Sequence, residues 1–320
     1  MLVSILIPCF NAERWVAQAI ESALAQTWPE KEVIVVDDGS TDTSLKIIKN
    51  FGARVRWESG PNRGGNVARN RLLELAGGEW LQYLDADDYL LPEKIASQME
   101  FIAANPATDI VFGPATMEHC VEGKTSRELL PIPEPHDLWI LLARWYLPQT
   151  GATFWRKQAI VDVGCWKPDQ PCCQEHELYL RLLVAGKRFA YCEHNGAIYR
   201  HWGETSLWRG NVPEVHRRRL DIEQRAEDFL RSTGALTPKR QYAINIARFG
   251  TARIAWQYDP VFADTVVRKI LATDPNFTPK GDAAPFAFRL AMRFLGFAKA
   301  EKLAQWRRKS LWPAKFARSP

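Results

Sequence analysis

The N-terminal third of the chain alternates short β-rich apolar runs with segments of helical spacing, and that alternation constrains the fold more than any other feature. Val3–Ile7 reads as a strand stopped by Pro8. Ala12–Ala25 places Trp15, Ala19, Ile20 and Ala23 at helical spacing, and Glu32–Val36 is again a β run. Thr43–Phe51 reads as a helix, Arg54–Glu58 as a strand, and Asn66–Ala76 as a helix that Gly77-Gly78 stops by tolerating positive φ. Trp80–Leu84 is the next strand. Strand–helix–strand order at this spacing predicts an α/β fold with a doubly wound, mostly parallel sheet. Ligands of such sheets sit beyond the carboxyl ends of the strands. Pro8-Cys9-Phe10-Asn11, Asp37-Asp38-Gly39-Ser40 and Asp85-Ala86-Asp87-Asp88 all fall at such ends, so they are expected to line one crevice.

The rest of the 320 residues divides by composition. Residues 1–110 carry ten Lys/Arg against sixteen Asp/Glu, a net of −6. Residues 111–205 carry ten against eleven, a net of −1, and residues 206–320 carry twenty-two against ten, a net of +12. The middle reads as mixed, with a helix over Leu138–Leu147, a strand over Thr150–Trp155 and a helix over Glu175–Val184. After Ser206 the pattern is helical, near 213–232, 238–257, 260–272 and 284–309, with Pro275–Pro285 as a linker. Three regions are expected: 1–110 and 111–205 as the two halves of one domain, and 206–320 as a basic helical extension. Met1–Ile7 shows no basic n-region and is too short for a membrane span, and no run reaches the roughly 20 apolar residues of a spanning helix. A cytoplasmic protein is expected. The six cysteines lack CxxC spacing and read as free thiols rather than a zinc site.

Asp85-Ala86-Asp87-Asp88 puts three carboxylates into four residues behind a buried strand. Such crowding costs stability unless a cation sits between them. Mg²⁺ and Mn²⁺ take oxygen ligands, commonly one or two carboxylates plus substrate phosphates. On an extended segment Asp85 and Asp87 share one side. Asp88 reads as capping or orienting, and the bland alternative for the whole run is a capped loop before the helix near Pro92. Asp38, at the crevice mouth, can accept from uracil or thymine N3–H or from guanine N1–H and N2–H. Asp37 reads as a partner for a backbone amide and Asp42 as a helix cap. The loop Asn62-Arg63-Gly64-Gly65-Asn66-Val67-Ala68-Arg69-Asn70 offers backbone amides with Arg63 or Arg69 to a phosphate or sugar hydroxyl. It is neither GxGxxG nor a P-loop.

In order and spacing these segments resemble the family 2 inverting glycosyltransferases of GT-A fold. The resemblance runs through Val3–Asn11, Val36–Asp42, Ala68-Arg69-Asn70, Gly78-Glu79-Trp80, the DxD-like Asp85–Asp88, Gly151–Lys157 and Val163-Gly164-Cys165-Trp166, about residues 3–205. It implies a nucleotide-diphospho sugar donor, with a UDP-sugar favoured, and a glycan or lipid-linked acceptor in cell-surface glycan synthesis. It also implies a divalent cofactor, Mn²⁺ or Mg²⁺. Asp38 would hold the nucleobase, Asp85 the ribose or the metal, and Asp87 the metal. Pro8, Phe10, Asn11, Arg63 and Arg69 would complete the donor site. The family's Glu-Asp-x-Asp/Glu before Leu-x-Leu-Arg corresponds here to Gln174-Glu175-His176-Glu177-Leu178-Tyr179-Leu180-Arg181, so its aspartate falls on Glu175. Inversion needs a carboxylate opposite the leaving diphosphate to take the acceptor proton. Glu175 is the first choice; Glu177, which suits an i,i+4 pair with Arg181, and His176 are the alternatives. Tyr199-Arg200-His201-Trp202 resembles the family's Tyr-Arg-x-His segment, so His201 is a candidate metal ligand or diphosphate contact, with a packed surface histidine as the alternative. Trp166, Trp202 and Trp208 are candidates to stack on a sugar or to fill the core.

Phe286–Phe297 and Trp306–Trp312 interleave Arg and Lys with large apolar residues. That pattern suits a helix lying on an anionic leaflet, peripheral to the inner membrane face, or a docked helix with a solvated basic face. Nucleic acid is not expected, since no recognised motif accompanies the charge. A metal-dependent nucleotidyltransferase and a non-catalytic sugar-nucleotide-binding or scaffold protein of the same fold are the competing functions.

Overall fold

The computed structural model describes residues 1–121, 124–194, 196–202, 211–281 and 284–311. It divides into two units, Met1–Val212 and Pro213–Pro320.

The first unit is built on strand β1 (Val3–Cys9), whose interior residues are almost all buried. β1 pairs in parallel with β2 (Lys31–Asp37) on one side and with β4 (Trp80–Tyr83) on the other. β3 (Arg56–Ser59) extends the sheet beyond β2. Past β4 come β9 (Thr153–Arg156), β6 (Ile110–Phe112) and β10 (Phe189–Tyr191). The seven-stranded order is β10-β6-β9-β4-β1-β2-β3, parallel except for β9, which runs antiparallel to both neighbours. The fold is therefore the expected α/β sheet, and residues beyond 110 supply three of its seven strands. Helices α1 (Val16–Leu24), α2 (Ser44–Asn50), α3 (Gly65–Leu75) and α4 (Lys94–Ala104) connect the early strands. α1 buries Val16, Ala19, Ile20 and Ala23 against the sheet. Burial of Val16 and Ile20, about 1.5–3 kcal/mol each, outweighs the helix's lack of a side-chain cap, worth about 1 kcal/mol.

Several local expectations change. α1 starts at Val16, because residues 11–15 are used to join two loops. Gly77 and Gly78 have no positive φ; α3 ends before them, and Gly78 is needed for close approach. A Cβ there would lie 2.7 Å from Ser4 N, and its own N–H donates to Ser4 Oγ at 2.8 Å. The Leu138–Leu147 helix stops at Ala143 as α5 (Leu138–Ala143), since Trp145 takes a left-handed φ of 59°. The sequence reading lacked a second sheet, β5 (Tyr89–Leu90), β11 (Ala197–Trp202), β7 (Ala115–Val121) and β8 (Lys124–Leu130), in that order. α6 (Lys157–Asp162) and α7 (Gln174–Val184) complete the unit.

The second unit holds α8 (Val212–Ser232), α9 (Pro238–Ala255), α10 (Pro260–Thr273), α11 (Phe286–Leu295) and α12 (Phe297–Leu311). α9 and α10 start with proline at the first turn, and Thr237 and Asp259 accept from Arg240 N and Phe262 N as caps. Phe249, Trp256, Val266, Ile270, Phe277, Phe288 and Phe297 lie in its core. The helix expected over 284–309 is two helices, broken at Gly296 with φ 78°.

Candidate active site

Parallel pairing of β1 with β2 and β4 brings three loops to one edge of the sheet. The loops after β1 and β2 are laced together. Asn11 takes φ 49°, and its Oδ1 accepts from Thr41 N at 2.8 Å while its own N–H donates to Ser40 Oγ at 3.0 Å. Glu13 N donates to Asp42 Oδ2 at 3.0 Å, and Glu13 Oε2 accepts from Thr43 N and Oγ1. Asp37 accepts from Ser40 N and Ser59 Oγ, a structural role. Asp38 is buried, and its two oxygens accept from Arg63 N and Gly64 N, each at 2.8 Å. Asp38 thus ties the glycine loop to β2. Carboxylate oxygens have about four acceptor sites, so both keep capacity for a further donor. Gly39, at φ 76°, is required here: a Cβ would lie 2.6 Å from Asn62 N. Pro8 is half-buried, while Phe10 and the Arg63 side chain are exposed.

The acid run turns instead of extending, with Asp88 N donating to Asp85 O at 3.0 Å. Its three carboxylates therefore meet different partners. Asp85 accepts from Arg69 Nη2 at 2.9 Å. Asp87 accepts from Trp202 Nε1 at 3.2 Å, and burial, then the charge of Asp85, push its carboxyl up. Asp88 is buried, accepts from Arg200 N at 2.8 Å, and is pushed well up by burial and by Asp87 and Asp85. Two elevated carboxylates beside a third are a donor set that a divalent cation would relieve. Among the described residues no group of three or more His, Cys, Asp or Glu is arranged to hold a metal ion. A cation here would need phosphate and water oxygens to fill its shell, as Mg²⁺ sites commonly do.

Arg200 is the residue that sequence reasoning missed. Buried between the rings of Trp15 and Tyr89, it donates Nη1 to Asp87 O at 2.5 Å and Nη2 to Gln18 Oε1 at 2.7 Å. It braces the acid turn from a strand more than a hundred residues away. His201, one position on, lies edge-on to His119 with centroids 5.4 Å apart. Trp166 is a core residue, edge-on to Tyr83 and beneath the Arg69 guanidinium. Trp208 lies outside the described residues.

The start of α7 meets the acid turn through Arg69. Glu175 Oε1 accepts from Thr150 Oγ1 at 2.5 Å. Glu177 is buried, with Lys167 Nζ on one oxygen and Arg181 Nε on the other, each at 2.8 Å. The His176 ring stacks on Trp145 at 3.9 Å. Arg69 makes that link: besides Asp85, it donates Nη1 to Gln174 Oε1 at 2.7 Å. Burial opposes its charge, but Asp85 and Glu175 more than offset that. The Tyr199 hydroxyl is pushed up to about 12 by burial and then by Asp88, Asp87, Asp85 and Glu175 together. All four carboxylates therefore act on one hydroxyl, although they are drawn from segments ninety residues apart.

The sheet, its antiparallel insertion and the acid turn at the strand ends define an α/β fold of the GT-A class. Residues 4–161 match the family model for Glycosyl transferase family 2, and the chain carries a domain of that family. It is 41% identical over 108 residues to an uncharacterized glycosyltransferase of Haemophilus influenzae, covering 32% of this chain and 43% of that protein. It is 41% identical over 97 residues to chondroitin synthase of Escherichia coli, covering 29% of this chain and 14% of the synthase. The chain thus spans less than half the length of these curated relatives. Among solved structures, residues 1–349 of S. aureus TarS in complex with UDP-GlcNAc superpose with a TM-score of 0.58 at 17% identity, over 97% of this chain and 92% of that one. At that identity the likeness is one of fold.

Proposed function

We propose that this protein transfers a sugar from a nucleotide-diphospho sugar, a UDP-sugar favoured, to a hydroxyl of a glycan or lipid-linked acceptor, with inversion at C1. The observation that carries the reading is the bridge made by Arg69, which joins Asp85 of the acid turn to Gln174 beside Glu175, with Asp85, Asp87 and Glu175 all acting on the Tyr199 hydroxyl. Asp38 and the laced loops around Asn11 hold the nucleotide, with Pro8, Phe10 and Arg63 at the mouth. Asp87, with Asp85, would hold Mn²⁺ or Mg²⁺, whose charge offsets that of the departing diphosphate when bound. His201, whose ring lies edge-on to His119, would add a metal ligand or a diphosphate contact. Glu175 takes the acceptor proton. Glu177 is committed to two cations and His176 to a stack, so neither competes for that work.

The acceptor reading extends to a surface. Phe286, Leu290 and Phe294 stand exposed at i, i+4 and i+8 on α11, beside Arg289 and Arg293. That face suits the anionic lipid of an inner membrane leaflet, where a lipid-linked acceptor would reside. Among the described residues no helix is long and apolar enough to cross a membrane.

A panel of UDP-, GDP- and dTDP-sugars with Mn²⁺, run beside the matching nucleoside triphosphates with a sugar 1-phosphate, tests the reading through the product released. A nucleoside diphosphate from a nucleotide-sugar supports it, and pyrophosphate from a triphosphate moves the chain to the nucleotidyltransferases. UDP binding without any turnover favours a non-catalytic binding protein. Glu175→Gln should keep UDP affinity and lose about 10²–10⁴-fold in turnover, the usual worth of a general base. Asp87→Ala should abolish Mn²⁺-dependent turnover. Normal rates in Glu175→Gln would overturn the base assignment.

A further inference from the structure

The proposed chemistry leaves one deeply buried cationic group unused. Lys94, in the first turn of α4, is 2% exposed. Its Nζ donates to Gln82 Oε1 at 2.5 Å and to Gln98 Oε1 at 2.7 Å. No carboxylate is among its hydrogen-bond or ion-pair partners in the described residues. Burial pushes its ammonium down to about 7. Gly196 closes over it, since a Cβ there would lie 2.5 Å from Lys94 Cβ. A group this deep costs stability unless it is fully hydrogen-bonded, so its retention calls for a use.

The use lies in what it does to Gln82. A lysine ammonium has donors and no acceptor, whereas a glutamine amide presents one oxygen and one NH₂. With Lys94 on its oxygen, Gln82 must turn its NH₂ the other way. That nitrogen donates to Tyr83 O at 2.6 Å and to Gly151 O at 3.0 Å. Gly151 belongs to the 3₁₀ turn Thr150–Ala152, and the first residue of that turn donates to Glu175 Oε1. An unbroken chain of contacts thus runs from the core lysine through one amide to the turn that holds the carboxylate of Glu175.

We propose that Lys94 is a positioning residue for sugar transfer: by orienting Gln82 it fixes the Thr150–Ala152 turn, and through Thr150 it aims Glu175 at the acceptor hydroxyl. The inference rests on the reading of Glu175 as the base.

The test uses the full chain, with Mn²⁺ and the fastest donor of the panel above. Turnover and donor KM are measured, and UDP affinity is read by calorimetry. Lys94→Met should lower kcat by about tenfold to a hundredfold, the scale of a misaimed reacting group. KM and UDP affinity should stay within about twofold, as for an interaction that acts on the chemical step alone. Gln82→Glu keeps an acceptor for Lys94 but removes the NH₂ that reaches Gly151. It should show the same split, and it decides the matter if Lys94→Met does not bind UDP. Thr150→Val should lower kcat similarly, and adding it to Lys94→Met should cost little more, because both act along one path. Wild-type kcat in Lys94→Met or Gln82→Glu would overturn the inference. So would a fall in UDP affinity as large as the fall in kcat, which marks a merely structural role. Glu175→Gln run alongside separates the failures. If it turns over normally, the base reading has failed; if it is inactive while Lys94→Met and Gln82→Glu are normal, only the positioning role has.

Discussion

Arg69 gives one nitrogen to Asp85 and another to Gln174, so a single buried guanidinium spans the gap between the acid turn and the start of α7. Removing it strands Asp85, whose side chain is 32% exposed and so partly rescued by water. Arg69→Met should therefore cost about 2 kcal/mol, less than a fully buried pair, readable as a lower urea midpoint. Arg69→Lys keeps the charge but lacks the fork, so it should recover part of that stability and leave turnover low. Lys94 makes a second prediction at this scale. The folded protein releases its proton near 7, while the unfolded chain holds it to about 10.5. Between those values the unfolded state binds more protons, so stability rises with pH, by at most roughly 1.4 kcal/mol per unit. Urea midpoints of the wild type should climb from pH 7 to 10, and Lys94→Met should flatten the climb. Residue type drew attention to Asp85 and Asp87, because three carboxylates at one strand end exceed what a cap needs, whereas Glu175 came into view only through the family resemblance, since a carboxylate at a helix start is ordinary. Arg200 and Lys94 were not visible, since an arginine in a β run and a lysine after Pro92-Glu93 read as surface residues until their partners are known.

At the scale of elements, periodicity located most strands and helices and misjudged where they stop. The terminal helix reads as continuous over 284–309, yet Gly296 breaks it into α11 and α12. The break leaves α11 with Phe288 packed inward and Phe286, Leu290 and Phe294 outward. If that outer face meets lipid, Phe286→Ser/Leu290→Ser/Phe294→Ser should lose most co-sedimentation with vesicles containing phosphatidylglycerol while leaving turnover of a soluble donor unchanged. Retained binding by that variant would assign the face another role. The acid run shows the converse error: alternation on an extended segment puts Asp85 and Asp87 on one side, whereas a turn sends Asp85 to Arg69, Asp87 to Trp202 and Asp88 to Arg200 N.

Across the whole molecule, charge is divided along the chain, with a net of −6 over residues 1–110 and +12 over 206–320. Attraction of the basic region to anionic lipid is screened within about 8–10 Å at physiological salt. Vesicle binding should therefore weaken steeply between about 0.1 M and about 0.5 M salt, over which the Debye length falls by roughly half, and vesicles of neutral lipid should capture little at any salt. The sequence by itself determined the α/β class, the three loops at the strand ends and the basic helical region, because apolar periodicity, glycine placement and charge are local properties. Only the tertiary structure decided the strand order, the antiparallel insertion of β9, and the partners of the acid turn. It alone brought Glu175 within electrostatic reach of the residues around that turn. Those outcomes depend on pairings between residues more than a hundred positions apart, such as Asp88 with Arg200 and Arg69 with Gln174, and no local pattern encodes which distant partner a buried charge will find.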